Sequence, residues 1–421
     1  MYRIKGLVAV LVILLHLTNA AMAQNSISSP YTRFGFGELN SMSLAAGRSM
    51  GGVGVGMRNK GMINPLNPAS FTNIDTLSFA FEVGGSARMS KIRSGENSQT
   101  DFNGNFDYVV GQFPLCKWAG MSFGLLPYSA VGYDYAIIRE MPAGSDLNPT
   151  SKDYTFQQSY NGTGGVNQIF LGVAFKPYKY FSVGANLYYQ FGNINHYRES
   201  VLTSEAGYTA SQSSDLHIKD VRLRYGLQVM LPMHEDSELT IGAIYENRTK
   251  VNGDYRFIST LSSVTADTVN TSYGFEFPET FGVGASYVFD KKLTVAFDYT
   301  MQRWSGARYY GVRDSLKSES RYSFGAEYQP DRYGKKYYTR MKYRIGASFS
   351  DSYVKTSENM NKYTLTLGFG LPVRRNTSYL NLGLEYGHFG SRASEVMKEE
   401  YLKLSLSVTL VERWFLKSVI R

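Results

Sequence analysis

Few side chains in this sequence have the type and spacing that catalysis requires. Four histidines, His196, His217, His234 and His388, follow the apolar N-terminal stretch. A histidine-based hydrolase would need one of them beside a serine nucleophile and an aspartate. No spacing in the sequence points to such a group. We therefore expect no catalytic residue and no enzymatic activity.

Metal and nucleotide chemistry have equally little support. Cys116 is the only cysteine, so the chain can form neither an internal disulfide nor a thiolate metal cluster. The run from Met50 to Gly56 contains four glycines and superficially resembles a nucleotide-binding loop. It does not follow a strand of a βαβ unit, and no helix follows it at the right distance. We expect no metal and no cofactor, and we interpret the glycines as sites of close backbone packing.

The basic residues are numerous but scattered. Lys and Arg total 44 against 35 Asp and Glu, for a net charge of +9. Nucleic-acid binding would require a basic stripe with interleaved aromatic residues, so we expect no nucleic-acid partner. Four basic residues fall on predicted inward faces of strands, where they are candidate contacts for an anionic ligand group: Arg222, Arg224, Lys342 and Arg344.

The residues discussed above lie mostly on predicted strands, which are recognised by a strict alternation of apolar and polar residues. Between Leu402 and Leu410 every second residue is Leu or Val, and the residues between them are Lys, Ser or Thr. A strand with one face on lipid and the other on a polar lumen shows this pattern. The pattern recurs in fourteen segments: 76–91, 100–115, 118–135, 166–177, 180–198, 214–232, 237–256, 272–290, 291–307, 318–329, 337–351, 360–373, 377–391 and 396–412.

The connections between these segments alternate in length. Every second connection is short, and the intervening ones are mostly longer, notably 136–165, 199–213 and 257–271. Short periplasmic turns and longer extracellular loops are typical of outer-membrane barrels, whereas a soluble β-sandwich has no reason for them. The sequence therefore predicts an all-β fold, a 14-stranded antiparallel transmembrane β-barrel over residues 76–421, in the outer membrane of a Gram-negative bacterium.

Two N-terminal segments differ from the barrel. Residues 1–23 carry Arg3 and Lys5, an apolar stretch and the small-residue site Ala21–Ala23, which together indicate a secretory signal peptide. Residues 24–75 are rich in Gly, Asn, Ser and Met and show no alternation, which predicts a compact N-terminal plug, or hatch. The turn-forming Asn67, Pro68 and Ala69 would mark its exit to the first strand.

Two stretches resemble the FadL/TodX family of outer-membrane transporters for hydrophobic compounds. The stretch 44–55 followed by Asn67-Pro68-Ala69 looks like the hatch of that family, and 277–285 followed by Arg303-Trp304-Ser305 resembles its paired strands. The resemblance implies transport of long-chain fatty-acid-like or aromatic molecules by lateral diffusion through the barrel wall. Its partners would be outer-membrane lipid and a hydrophobic small molecule. Some relatives instead serve protein secretion systems, so a secretion-system component or shuttle without transport is the alternative.

Pro127 interrupts the third predicted strand. Proline has no N–H, so one rung of the hydrogen-bond ladder must be missing there. Within hydrocarbon an unpaired backbone group is costly unless the wall bends or the group meets water. The family resemblance implies a lateral exit at a kink in this strand, which makes Pro127 a candidate lateral gate. A simple bulge near the membrane interface is the alternative.

The signal-peptide prediction can be checked directly. Mass spectrometry of the membrane-inserted protein should find Gln24, as such or cyclised, at the N-terminus, because a signal peptidase would cleave after Ala23. A membrane-inserted form that retains Met1 would contradict the prediction.

Overall fold

The computed structural model describes residues 27–59, 61–144, 153–203, 208–261, 264–271, 274–355, 359–374, 377–390 and 397–413. The signal peptide predicted at 1–23 lies outside the described residues.

Fourteen strands form one closed antiparallel sheet, which confirms the predicted fold class. Each strand pairs with its neighbours in chain order, and the last strand closes the barrel on the first, from Arg413 opposite Ser78 to Lys398 opposite Arg93. The strands are β1 (Ser78–Ser94), β2 (Asn97–Cys116), β3 (Ala119–Met141), β4 (Tyr154–Tyr178), β5 (Phe181–Thr203), β6 (Tyr208–His234), β7 (Ser237–Glu246), β8 (Glu279–Phe289), β9 (Leu293–Arg303), β10 (Glu319–Tyr328), β11 (Lys342–Asp351), β12 (Asn361–Arg374), β13 (Ser378–Gly390) and β14 (Lys398–Arg413).

The two faces of the wall differ as the alternation predicts. Phe297, Leu404 and Leu406 point outward and keep 48%, 54% and 48% of their surface exposed, while Asp298 and Ser407 point inward and are buried. An outward apolar band with a polar interior is what a barrel in lipid requires. Among the described residues, no helix is long and apolar enough to cross a membrane.

The predicted boundaries are wrong mainly in two regions. The fourth strand, expected at 166–177, begins at Tyr154, so the loop expected at 136–165 is much shorter. The strand expected at 237–256 ends at Glu246, and the loop expected at 257–271 contains a hairpin of strands Gly253–Leu261 and Val264–Thr271. The first hairpin strand pairs with the outer end of β6, with Gly253 opposite Ile218. Alternation marks the strands that separate lipid from lumen. Beyond the membrane both faces of a strand can be polar, so the pattern is lost while the ladder continues.

The N-terminal segment 27–75 has little regular structure and lies among the inward faces of the strands. It contains two 3₁₀ turns, Pro30–Arg33 and Pro68–Asn73, the short strand Glu38–Leu39 and one helical turn, Ala45–Arg48. The wall contacts it from many directions through polar side chains that include Gln112, Ser182, Asn186, Arg224, Gln228, Ser286, Asp298 and Thr366. These contacts support the interpretation of residues 24–75 as a plug.

The orientation of β9 leads to a stability prediction. Phe297 lies near the middle of this strand and faces outward, so Phe297→Arg should lower the free energy of unfolding by about 2–4 kcal/mol in lipid vesicles. Ser348→Arg is the control, because Ser348 lines a cavity in the lumen where a charge can be hydrated. Denaturant titration of both variants measures the difference. Equal losses would contradict the assigned lipid face.

Candidate functional site

The wall of the barrel has a seam between β2 and β3. These strands pair only from Cys116 opposite Ala119 to Val109 opposite Leu125. Beyond Leu125 toward the extracellular side, β3 continues to Met141 paired with β4, and residues 97–108 of β2 pair with β1. Among the described residues no strand of the wall joins β2 to β3 over that length. We call this gap the seam.

The seam begins two residues before Pro127, where the wall bends. The register between β3 and β4 shifts between Pro127 and Ser129, which leaves Tyr128 as a bulge. At the same level Gly165 of β4 and Gly192 of β5 have φ angles of 146° and 158°. An added Cβ at Gly192 would lie 2.1 Å from the carbonyl oxygen of Gly165. The proline, the bulge and the glycines together allow three adjacent strands to bend at one level.

The N-terminal segment occupies the edge of β3 that β2 leaves open. Glu38 and Leu39 pair with Ala130 and Ser129, and the Asn40 N–H donates to the Tyr128 carbonyl at 2.9 Å. Further out, the Ser29 N–H donates to the Gly132 carbonyl at 2.8 Å. A segment of the plug therefore satisfies backbone groups of β3 that would otherwise lack a partner beside hydrocarbon.

A cavity of about 700 Å³ lies behind the seam and is lined by both of its strands. On the seam side its walls are mostly small or apolar residues: Gly104, Phe106, Leu125, Pro127, Ala130, Gly165 and Phe191. On the deep side they are charged: Glu38, Arg48, Arg88, Asp107, Glu319, Arg321, Lys362, Glu385 and Lys403. The seam strands and their neighbours also contribute Asn105, Ser129, Asn167 and Asn193, so the seam side mixes apolar and neutral polar groups, whereas the deep side is charged.

A charged network fixes the deep wall to the plug. Glu38 accepts from Arg88 at 2.9 Å and from Lys362 at 2.5 Å, and Arg88 also donates to Glu399 at 2.6 Å. Burial by itself would raise the pKa of the Glu38 carboxyl, but the charges of Arg88 and Lys362 hold that pKa well below its usual range. The seam-covering strand therefore carries an ionised side chain held by two cations of the wall.

The four predicted anion contacts are already paired with carboxylates. Arg222 and Arg224 donate to Glu246 at 2.7 Å and 2.5 Å. Lys342 and Arg344 donate to Glu327 at 2.9 Å and 2.7 Å. Each carboxylate is shared by two cations, so each group keeps one uncompensated positive charge, on strands remote from the seam in the sheet order. The Arg222 Nε is buried without a hydrogen-bond partner and Arg224 lines a small pocket together with Arg321, so the four residues stay candidate contacts for an anionic ligand group.

The Asn67-Pro68-Ala69 motif fastens the plug to the wall. The Asn67 side chain accepts from the Ala69 N–H at 3.1 Å, which begins the turn Pro68–Asn73, and it donates to the Leu227 carbonyl at 3.2 Å. The Ala69 carbonyl accepts from Ser182 at 2.6 Å. Asn67 and Ala69 are fully buried. The motif is thus a joint between plug and barrel.

An aromatic cluster between the plug and the extracellular strand ends was missed by the sequence reasoning. The Phe36 ring of the plug lies 5.2 Å from that of Phe277 and 5.7 Å from that of Trp304, which in turn lies 5.0 Å from Tyr353. These residues precede β8 or follow β9 and β11 at their extracellular ends. We call this the mouth cluster. The sequence does not show that aromatic residues in separate loops will pack together. Only Trp304, as part of the Arg303-Trp304-Ser305 motif, was singled out from the sequence.

Solved structures similar to this fold include proteins described as transporters and channels. A Ralstonia pickettii toluene transporter, TbuX, shares 16% identity at a TM-score of 0.54, over 88% of this chain and 98% of that chain. CymD, a monoaromatic hydrocarbon channel, shares 16% sequence identity at a TM-score of 0.56, and the match covers 90% of this chain and 100% of that chain. A Pseudomonas aeruginosa FadL homologue shares 12% sequence identity at a TM-score of 0.57, and the match covers 88% of this chain and 98% of that chain. The likeness confirms that the chain has the FadL-type β-barrel fold.

Comparison of the sequence with protein families identifies the family of the chain more closely than the fold does. No curated protein matches the chain. A family model described as BamG matches residues 3–420, nearly the whole length, and the chain belongs to the BamG family.

Proposed function

We propose that this barrel moves hydrophobic small molecules with a polar or charged end, and that they pass sideways through the seam into the outer membrane. The observation that carries the proposal is the cavity of about 700 Å³, which both seam strands line. Phe106, Leu125, Pro127 and Phe191 supply apolar surface among neutral polar groups at the wall, and charged side chains line the cavity on the lumen side. That polarity matches a long-chain fatty-acid-like or aromatic molecule whose polar group points inward.

The physical advantage of a side exit is that the solute enters lipid without crossing water. The free energy of a hydrophobic molecule falls by about 25 cal/mol for each Å² of apolar surface that leaves water. Pro127 lines the cavity at the level where the wall bends, so Pro127 is the proposed lateral gate. Residues 24–75 act in this proposal as the plug, and the strand Glu38–Leu39 is its part nearest the gate.

Closing the seam chemically should stop transport. We expect that Phe106→Cys with Leu125→Cys, joined by a bis-maleimide, blocks uptake of a labelled hydrophobic substrate, since both residues line the cavity from opposite strands. The variants are made in a Cys116→Ser background, because Cys116 is exposed and would react. Uptake by cells, measured before and after linking, checks the prediction.

The matched control joins two strands where no seam exists. Phe297 and Phe324 lie opposite each other on β9 and β10 and both are exposed on the outer wall. Linking cysteines at these positions should leave uptake unchanged. If uptake continues with the seam linked, lateral passage at Pro127 is refuted.

A second function is favoured by features of the periplasmic end. The turn 329–341 carries Arg332, Lys335, Lys336 and Arg340 against the single acid Asp331, and its Tyr333 is 81% exposed. Tyr and Arg are enriched at the centres of protein interfaces. The turn also has a defined shape, because the Asp331 N–H donates to the Thr339 carbonyl at 2.8 Å. Together with the charged lumen, this supports a component of a protein secretion or assembly system.

The second function predicts a stable complex. After extraction in mild detergent the protein should migrate on native gels with a partner, and Tyr333→Ala with Tyr338→Ala should release it, because both exposed rings lie on the turn. Trp118→Ala removes another exposed aromatic side chain, from the turn between β2 and β3, and should have no effect. Migration of the wild-type protein as a single barrel would refute this function.

A further inference from the structure

A second pocket lies outside the seam, on the extracellular continuation of strands β3 to β6. Two neighbouring rows of side chains cross these strands. In the first row Tyr135 is opposite Tyr160, Tyr160 is opposite Arg198, and Arg198 is opposite Gln212. In the second row, one rung closer to the membrane, His196 is opposite Ser214 and Ser214 is opposite Phe257. Alternate residues share a face of the sheet, so both rows point the same way.

Two arginines flank one aromatic ring in this pocket. The guanidinium carbon of Arg33, from the N-terminal segment, lies 4.0 Å from the centre of the Tyr160 ring, and that of Arg198 lies 5.6 Å from the same centre. Arg33 also donates to the Tyr135 hydroxyl at 3.3 Å. The Tyr133 hydroxyl and the His196 Nδ1 are 2.7 Å apart. Aromatic rings and neutral polar groups therefore hold the two cations in place.

Neither arginine has an acidic partner among the described residues. The ion pairs found in this part of the chain include neither Arg33 nor Arg198, and the Arg198 Nε is buried without a hydrogen-bond partner. This contrasts with Arg222, Arg224 and Arg344, which all meet a glutamate inside the barrel. A buried guanidinium N–H without an acceptor is costly, and a ligand anion would supply the missing acceptor.

The pocket has room for such a ligand. Its volume is about 200 Å³, and it is lined by the two arginines, by His196, Gln212, Ser213 and Ser214, and by the rings of Tyr133, Tyr160, Phe257 and Tyr310. We propose that this pocket binds an oxyanion, a phosphate or carboxylate group, carried on a flat ring. The guanidinium forks bind the oxyanion and the aromatic side chains pack on the ring. This site is independent of the seam and of transport through it.

Binding of phenyl phosphate to the purified full-length protein in detergent tests the proposal. Isothermal titration calorimetry should detect binding to the wild type, and Arg198→Gln and Arg33→Gln should each weaken it about tenfold or more, since each removes a charge-assisted hydrogen bond. Arg198→Lys keeps the charge but loses the fork, and should weaken binding as well. Arg139→Gln removes one exposed positive charge from the extracellular end of β3 and should change nothing.

Two further arms complete the test. Phenol, which has the ring without the oxyanion, should bind far more weakly than phenyl phosphate. Mixed micelles containing phosphatidic acid offer a phosphate without a ring: binding to these micelles in the absence of binding to phenyl phosphate overturns the proposal, because the ring then plays no part. The proposal is also overturned if the wild-type protein binds neither phenyl phosphate nor the phosphatidic acid micelles while it still migrates as a folded barrel on unheated gels. Equal weakening in Arg139→Gln overturns it too.

Discussion

A backbone N–H or C=O group without a partner costs several kilocalories per mole in hydrocarbon, and this constraint governs the whole molecule. It explains why β14 returns to β1 and leaves no edge there. At the seam the wall itself does not meet the constraint, because β2 and β3 separate beyond Leu125. Glu38 and Leu39 of the N-terminal segment supply partners for β3 instead. The N-terminal segment therefore completes the hydrogen bonding of the wall from the inside at the seam.

A similar constraint applies to the charged side chains inside the barrel. Buried ions are tolerated when they are paired and hydrogen-bonded. Glu246 pairs with two arginines and Glu327 with an arginine and a lysine, so each group is held by ion pairs but keeps one uncompensated positive charge. The charges that line the seam cavity are the exception, since several of them also face open space. A barrel with this interior differs from one that is lined throughout by apolar side chains.

The sequence predicted the barrel strands well because lipid and lumen impose opposite requirements on successive residues. Leu404 and Ser405 show this clearly: the first is exposed to lipid and the second is buried against the interior. Pairing between distant parts of the chain has no such periodic signal. Neither the pairing of Glu38 with Ala130 nor the compensation of Arg222 by Glu246 could be read from spacing. Pro127 could be recognised because a missing N–H is a property of one residue alone, whereas the width of the gap beside it is a property of two strands.

The contacts of the plug also bear on the rate of folding. Ser29 donates to Glu399 and Asp298 accepts from the backbone of Gly54 and Val55, so one short segment is bonded to residues as much as 370 positions away. The mouth cluster lies over this segment at the extracellular end, and strands surround it. These contacts and the pairing of β14 with β1 both join parts of the chain that are far apart in sequence, and contacts of this kind are associated with slow folding because a long loop must be closed before they form.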